Sequence, residues 1–210
     1  MALPSNKLIT INDRGARAAT TFGSVSAGGA NMVFIKKLTA SSSGTLSFVD
    51  GADSVVLDST YKEYYFTFKN IHPQTDGQQF KFQTSTDGGS NYATTITSTY
   101  FIAYHKEDNS ETALSYGADD DQAQTTNFTV LGSGDNENDS GIGGYMTLFN
   151  PSSTTFVKHF IATTVNDPST YCQNEFIAGY FNTTSAINAV QFKMGSGNID
   201  AGDICLYGIL

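Results

Sequence analysis

Tryptophan is absent from this chain of 210 residues, and cysteine occurs only twice, proline four times and histidine three times. Each scarcity excludes something. Two cysteines, Cys172 and Cys205, cannot organise so long a chain by disulfides, and they form no Cys-x-x-Cys metal or redox spacing. Both read as free thiols in strands. His72, His105 and His159 lie far apart in no His-x-His or His-Glu-x-x-His pattern, so the spacing offers no zinc-enzyme signature. They read as packed or surface side chains. A Gly-x-Ser-x-Gly elbow, a phosphate-binding glycine loop before a helix and a catalytic-cysteine signature are also missing, which points away from hydrolase and nucleotide chemistry. No apolar run approaches the roughly 20 residues that cross a bilayer, and the segment Met1-Ala-Leu-Pro-Ser-Asn-Lys7 has no apolar leader. The expectation is a chain made and kept soluble, without membrane insertion. Matches to Asn-x-Ser/Thr at Asn127, Asn138 and Asn182 carry no weight without a secretory leader.

Basic residues are also few, 11 against 20 acidic ones, for a formal charge of −9. Such a chain lacks the basic surface that releases phosphate counterions, so nucleic acid is not an expected partner. The distribution says more than the total. Lys7, Arg14, Arg17, Lys36 and Lys37 face a single acid, Asp13, in the first 37 residues, and everything after Lys37 is strongly acidic. Two readings stand side by side: a basic arm that docks on an acidic neighbour through Lys7, Arg14 and Arg17, or a solvated tail.

What the chain has is glycine, hydroxyl and amide residues, and aromatics: 20 Gly, 15 Phe and 11 Tyr, with 39% hydrophobic and 15% charged residues. That mixture suits strands joined by many turns around a phenylalanine-rich core. Residues 1–31, rich in Ala, Gly, Ser and Thr, read as an extended amino-terminal arm, and residues 32–210 as the body. Val33–Leu38 and Thr45–Val49 flank a Ser41–Gly44 turn and read as a hairpin. Tyr64, Phe66 and Phe68 alternate with polar neighbours over Glu63–Asn70, and Phe80 and Phe82 do so over Gln78–Thr86. This period of two predicts strands with one buried face, with Phe66 and Phe82 in the core. Asp87-Gly-Gly-Ser90 follows as a tight turn, read as a second hairpin signal. Further strands are expected at Ala93–Thr99, Tyr100–His105, Asn127–Leu131, Tyr145–Asn150, Phe156–Thr163, Glu175–Phe181, Ala189–Met194 and Ile204–Ile209. So many strands with polar connections predict an all-β fold, a β-sandwich of jelly-roll type. Strand order is not readable from the pattern.

Asp119-Asp-Asp121 and Asp135, Glu137 and Asp139 sit in Gly/Asn/Ser-rich connections, with no tryptophan platform for a sugar ring. They read as solvated loops rather than a glycosidase pair. Asp135, Glu137 and Asp139 alternate as calcium-loop oxygens do, yet Gly141 falls one position late and Met146 stands where an EF-hand needs an acid. A calcium site and a plain acidic loop both remain open, and no other cofactor is expected.

The segments Phe149-Asn-Pro-Ser-Ser-Thr-Thr-Phe-Val-Lys-His-Phe-Ile-Ala-Thr163, Gly179-Tyr-Phe-Asn-Thr-Thr-Ser-Ala-Ile187 and Gln191-Phe-Lys-Met-Gly-Ser-Gly-Asn-Ile199 resemble a family of proteins from marine tailed bacteriophages. Asn70-Ile-His-Pro73 and Ser85-Thr-Asp-Gly-Gly-Ser-Asn-Tyr92 extend the resemblance, which runs from about Leu38 to the carboxyl end. It implies a non-enzymatic virion structural protein, assembled in the host cytoplasm, with no catalytic residues to carry over. Two placements fit that implication, a capsid decoration protein anchored by its arm, which the short chain and basic arm favour, and a tail-fibre or tail-appendage module touching the host; a stand-alone carbohydrate-binding domain that takes a surface glycan stands as a separate alternative. Expected partners are further copies of itself, as a homo-oligomer, and other virion proteins of capsid or tail.

Overall fold

Alternation of large apolar and polar residues leaves a chain little choice but extended structure, because period two puts one set of side chains on one face. In a computed structural model, which describes residues 31–168 and 170–210, these residues form thirteen strands and no helix. In chain order they are β1 (Met32–Ser43), β2 (Leu46–Val49), β3 (Glu63–Pro73), β4 (Gln78–Ser85), β5 (Ile96–Lys106), β6 (Thr112–Tyr116) and β7 (Gln122–Thr125). Then follow β8 (Thr129–Gly134), β9 (Ile142–Phe149), β10 (Lys158–Asn166), β11 (Tyr171–Phe181), β12 (Ala189–Met194) and β13 (Ile199–Ile209). The arm expected over residues 1–31, with Lys7, Arg14 and Arg17, lies outside the described residues except for Asn31.

Two antiparallel sheets result. The larger runs β1-β13-β3-β9-β10-β11-β5-β6, with β7 also paired to β5, and the smaller runs β2-β12-β4-β8. Eight strands pair in a nested order: β1 with β13, β2 with β12, β3 with β9 and β4 with β8. Successive strands of this set alternate between the sheets, except that β4 and β8, which pair with each other, both lie in the smaller one. The remaining strands, β5 to β7 and β10 and β11, widen the larger sheet.

Phenylalanine rings fill the space between the sheets. Phe192 of β12 meets Phe48, Phe66, Phe68, Phe80 and Phe82 at centroid distances between 5.4 and 6.2 Å. Phe82 also packs edge-on against Phe160 at 5.0 Å and Phe181 at 5.9 Å, tying β4 to β10 and β11 of the opposite sheet. Phe66 and Phe82 are both wholly buried, as their alternation requires.

The expected hairpins do not form. β1 and β2 follow one another in sequence but lie in different sheets, as do β4 and β5. The turn after β4 has its expected chemistry all the same: Gly88 and Gly89 take φ of 71° and 82°. Asp87 accepts hydrogen bonds from Ser85 Oγ (2.6 Å), Asn91 N (2.9 Å) and Asn91 Nδ2 (2.7 Å), which hold its carboxyl at about 2. A turn specifies a reversal; whether the chain returns beside its own strand or crosses to the facing sheet depends on which apolar face awaits it. Ala93–Thr99 and Tyr100–His105 merge into the single strand β5, and β6 and β7 form where the sequence shows no alternation. β6 is almost wholly exposed, so no buried face imposes an alternation on it. At one end of the larger sheet, β3 and β13 share an irregular register around Asn70 (φ 49°) and Gly202 (φ 121°). A Cβ at Gly202 would stand 2.5 Å from the Asn70 carbonyl oxygen, so only glycine fits.

Candidate interaction surface

A nine-stranded sheet covered by a four-stranded one has its other face turned away from the core. Reading the register across that outer face places Thr67, Tyr145, Thr163, Phe176, Phe101 and Tyr116 in one transverse row from β3 to β6. The neighbouring row runs Tyr207, Tyr65, Thr147, Ile161, Ala178 and Thr99 from β13 to β5. A third carries Gly143, Val165, Asn174, Ala103 and Leu114. The rings are mutually ordered: Phe101 stacks on Phe176 at 4.8 Å and Tyr65 on Tyr145 at 5.6 Å. Ile161, Val165, Tyr145 and Phe101 are 50%, 44%, 43% and 40% exposed. None of the outward positions on β9, β10, β11 or β5 is Asp, Glu, Lys or Arg, although the whole chain carries 20 acids. The surface is thus contiguous, uncharged and partly aromatic, a composition that buried protein contacts share.

On the inner side, polar side chains of the larger sheet close the free edge of β8. Thr164 Oγ1 donates to the Leu131 carbonyl and Asn166 Nδ2 to the Ser133 carbonyl, while Ser133 N donates to Glu175 Oε1 at 3.3 Å. These contacts stand in for the ladder partner that an end strand lacks. Glu175 Oε1 also accepts from Gln173 Nε2 (2.7 Å) and Asn166 Nδ2 (3.1 Å), whereas Oε2 is buried without a hydrogen-bond partner. Burial pushes the Glu175 carboxyl up to about 7, against the lowering pull of the donors around it. Tyr100 sits beside it; burial, followed by the Glu175 charge, raises its phenol well above the usual range. The expected strand Glu175–Phe181 contains the residue but not its environment. The readable signal is that Gln173 and Glu175 share the inward register of Ile177 and Phe181.

Lys158, the first residue of β10, is a second buried charge. It donates to the carbonyls of Thr183 (3.2 Å) and Ser185 (2.6 Å), and desolvation lowers its pKa.

Of the loop acids expected to act together, the structure joins Asp135 and Glu137 to Asp76, from the β3–β4 turn, with a ligand atom of each within 4.8 Å of the others. Asp139 is not part of this group. It lines a groove of about 700 Å³ with Asn70, His72, Asp167, Cys172 and Asp200. The three carboxylates have the hard-oxygen chemistry that calcium uses, but calcium takes six to eight such oxygens. His72 bridges the region, its Nε2 3.0 Å from the Glu137 carbonyl and its Nδ1 4.0 Å from Asp200. His105 meets Asn109, and His159 lies against the Tyr180 ring. Both cysteines are free thiols in strands, Cys172 in β11 and Cys205 in β13. Compared with protein-family models, with curated proteins and with solved structures, the chain matches none.

Proposed function

We propose that this chain is a non-enzymatic structural protein of a bacteriophage particle, displayed on the capsid exterior as a decoration protein and held there in part by residues 1–31. The observation that carries the reading is the broad outer face of the larger sheet, which has exposed aromatic and aliphatic residues and no charge on β9, β10, β11 and β5. Such a face serves binding to protein, and the acidic remainder of the body keeps the displayed surface solvated.

The fold reading is finer than two packed sheets: the body is a β-sandwich of jelly-roll type. Its support is the nested pairing of β1 with β13, β2 with β12, β3 with β9 and β4 with β8, the arrangement of a ribbon of paired strands rolled on itself. Viral capsid proteins and lectins both use that architecture, so the fold alone does not choose between them. The resemblance of the body to marine phage proteins favours the particle.

Purified particles, resolved on a stained gel calibrated against the major capsid protein, test the reading. Hundreds of copies per particle are expected for a decoration protein. A few dozen or fewer would move the chain to a tail appendage, and its absence from particles would overturn the virion role altogether.

A further inference from the structure

We infer that the outer face of the larger sheet is an isologous homodimer interface, in which a second copy of this chain lays the same face against it. The inference rests on the reading of that face as a protein-binding surface and names its occupant.

Three properties of the face select a copy of itself. The first is charge. At −9 per chain, two copies repel, and the repulsion is least where neither brings a charge to the contact. The centre of this face satisfies that condition, because its outward residues on β9, β10, β11 and β5 carry no Asp, Glu, Lys or Arg. A strongly basic or acidic partner would find no counter-charge there.

The second property is the kind of polar group present. Thr67, Thr99, Thr147, Thr163, Tyr65 and Tyr145 put hydroxyls among the apolar residues. A hydroxyl both donates and accepts, as does the amide of Asn174, so a face whose polar groups are mostly of this kind can complement itself. A face built from amines or carboxylates cannot.

The third is size. With strands about 4.8 Å apart and rising about 3.3 Å per residue, β9, β10, β11 and β5 offer about 600 Å², and the adjoining parts of β3 and β13 around Tyr65, Thr67 and Tyr207 extend the face toward about 800 Å². A stable interface needs about 800 Å² from each partner. Antiparallel sheets stack face to face with their strands within about 30° of one another, and a two-fold axis lying nearly along or across the strands satisfies this. Ile161 and Val165, outward on β10 on either side of Thr163, which lies between Tyr145 and Phe176, are the anchors.

Sedimentation equilibrium of the full chain, at concentrations up to about 100 μM, should give a dimer. I161D should weaken association by about 30-fold or more, the effect of losing a central anchor, and at dilutions where both proteins are monomeric its melting temperature should match the parent's, because the side chain lies outside the core. V165K provides the same test if I161D folds poorly. A monomeric wild-type chain overturns the inference, as does a dimer that both variants leave intact. Hydrogen exchange adds a further arm: a monomer whose β9, β10 and β11 are nonetheless protected would assign the face to residues 1–30 of the same chain and likewise overturn it. A monomer still present in hundreds of copies per particle would remove the dimer and leave the virion reading standing.

Discussion

Replacing Phe192 by alanine should destabilise the body by about 3–5 kcal/mol, the range for deleting a fully buried aromatic ring. Phe192 is wholly buried and meets five other rings drawn from both sheets. Its loss opens a cavity where the sheets join, and the neighbouring rings cannot all collapse into it because each is held by its own strand. For a body of this size the melting temperature should fall by on the order of 10 °C. Phe156→Ala, at a ring that is 69% exposed, is the control and should stay within about 0.5 kcal/mol. Chemical denaturation of both variants checks the pair. Equal losses would mean that Phe192 is not the centre of the core.

The second large effect is pH-dependent and belongs to Glu175. Burial raises its folded-state pKa from 4.5 to about 7, so between those values the folded chain holds a proton that the unfolded chain has released. Stability from this group is therefore fully present below about pH 4.5 and declines as pH rises to about 7, by roughly 3 kcal/mol in all. Asp58, Asp87, Asp108, Glu111 and Asp203 act in the opposite sense, because hydrogen bonds hold their pKa values down and their contribution is lost as pH falls through the acid range. The two trends place the stability maximum of the body on the acid side of neutrality.

Glu175→Gln separates them. Glutamine keeps an acceptor for Ser133 N, Gln173 and Asn166 and never ionises, so the slope between pH 4.5 and 7 should flatten. At pH 8 the variant should be more stable than the parent by up to about 3 kcal/mol. Urea denaturation at pH 5 and pH 8 gives both numbers. An unchanged slope in the variant would show that Glu175 is not the group that titrates.

Much of this was legible one strand at a time. Alternation around Phe66 and Phe82 identified inward positions, and β12 has the bounds its apolar run implied, Ala189–Met194. The turn at Asp87 was readable because its chemistry is local. Pairing was not, since the same alternating strand can sit beside any neighbour that offers a matching face. β6 and β7 went unseen because they bury too little to impose a pattern. The carboxylate group was half legible: Asp135 and Glu137 are near in sequence, but Asp76 reaches them only because the β3–β4 turn and the loop after β8 lie together. Nothing in the local sequence separates Asp139 from that group.

The outer face shows the same division. That Tyr145, Ile161, Val165, Phe176 and Phe101 occupy alternate positions is a property of the sequence alone, because side-chain direction follows from the period of two. Composition likewise determined the strand-rich class and the phenylalanine core. Only the tertiary structure decided that β9, β10, β11 and β5 stand side by side, that among the described residues no sheet lies over their second face, and that Glu175 faces inward beneath the edge of β8. The reason is range. Alternation and turn chemistry act over a few residues, whereas β1 with β13 and β2 with β12 join opposite ends of the body, where partners are selected by the faces they bury together.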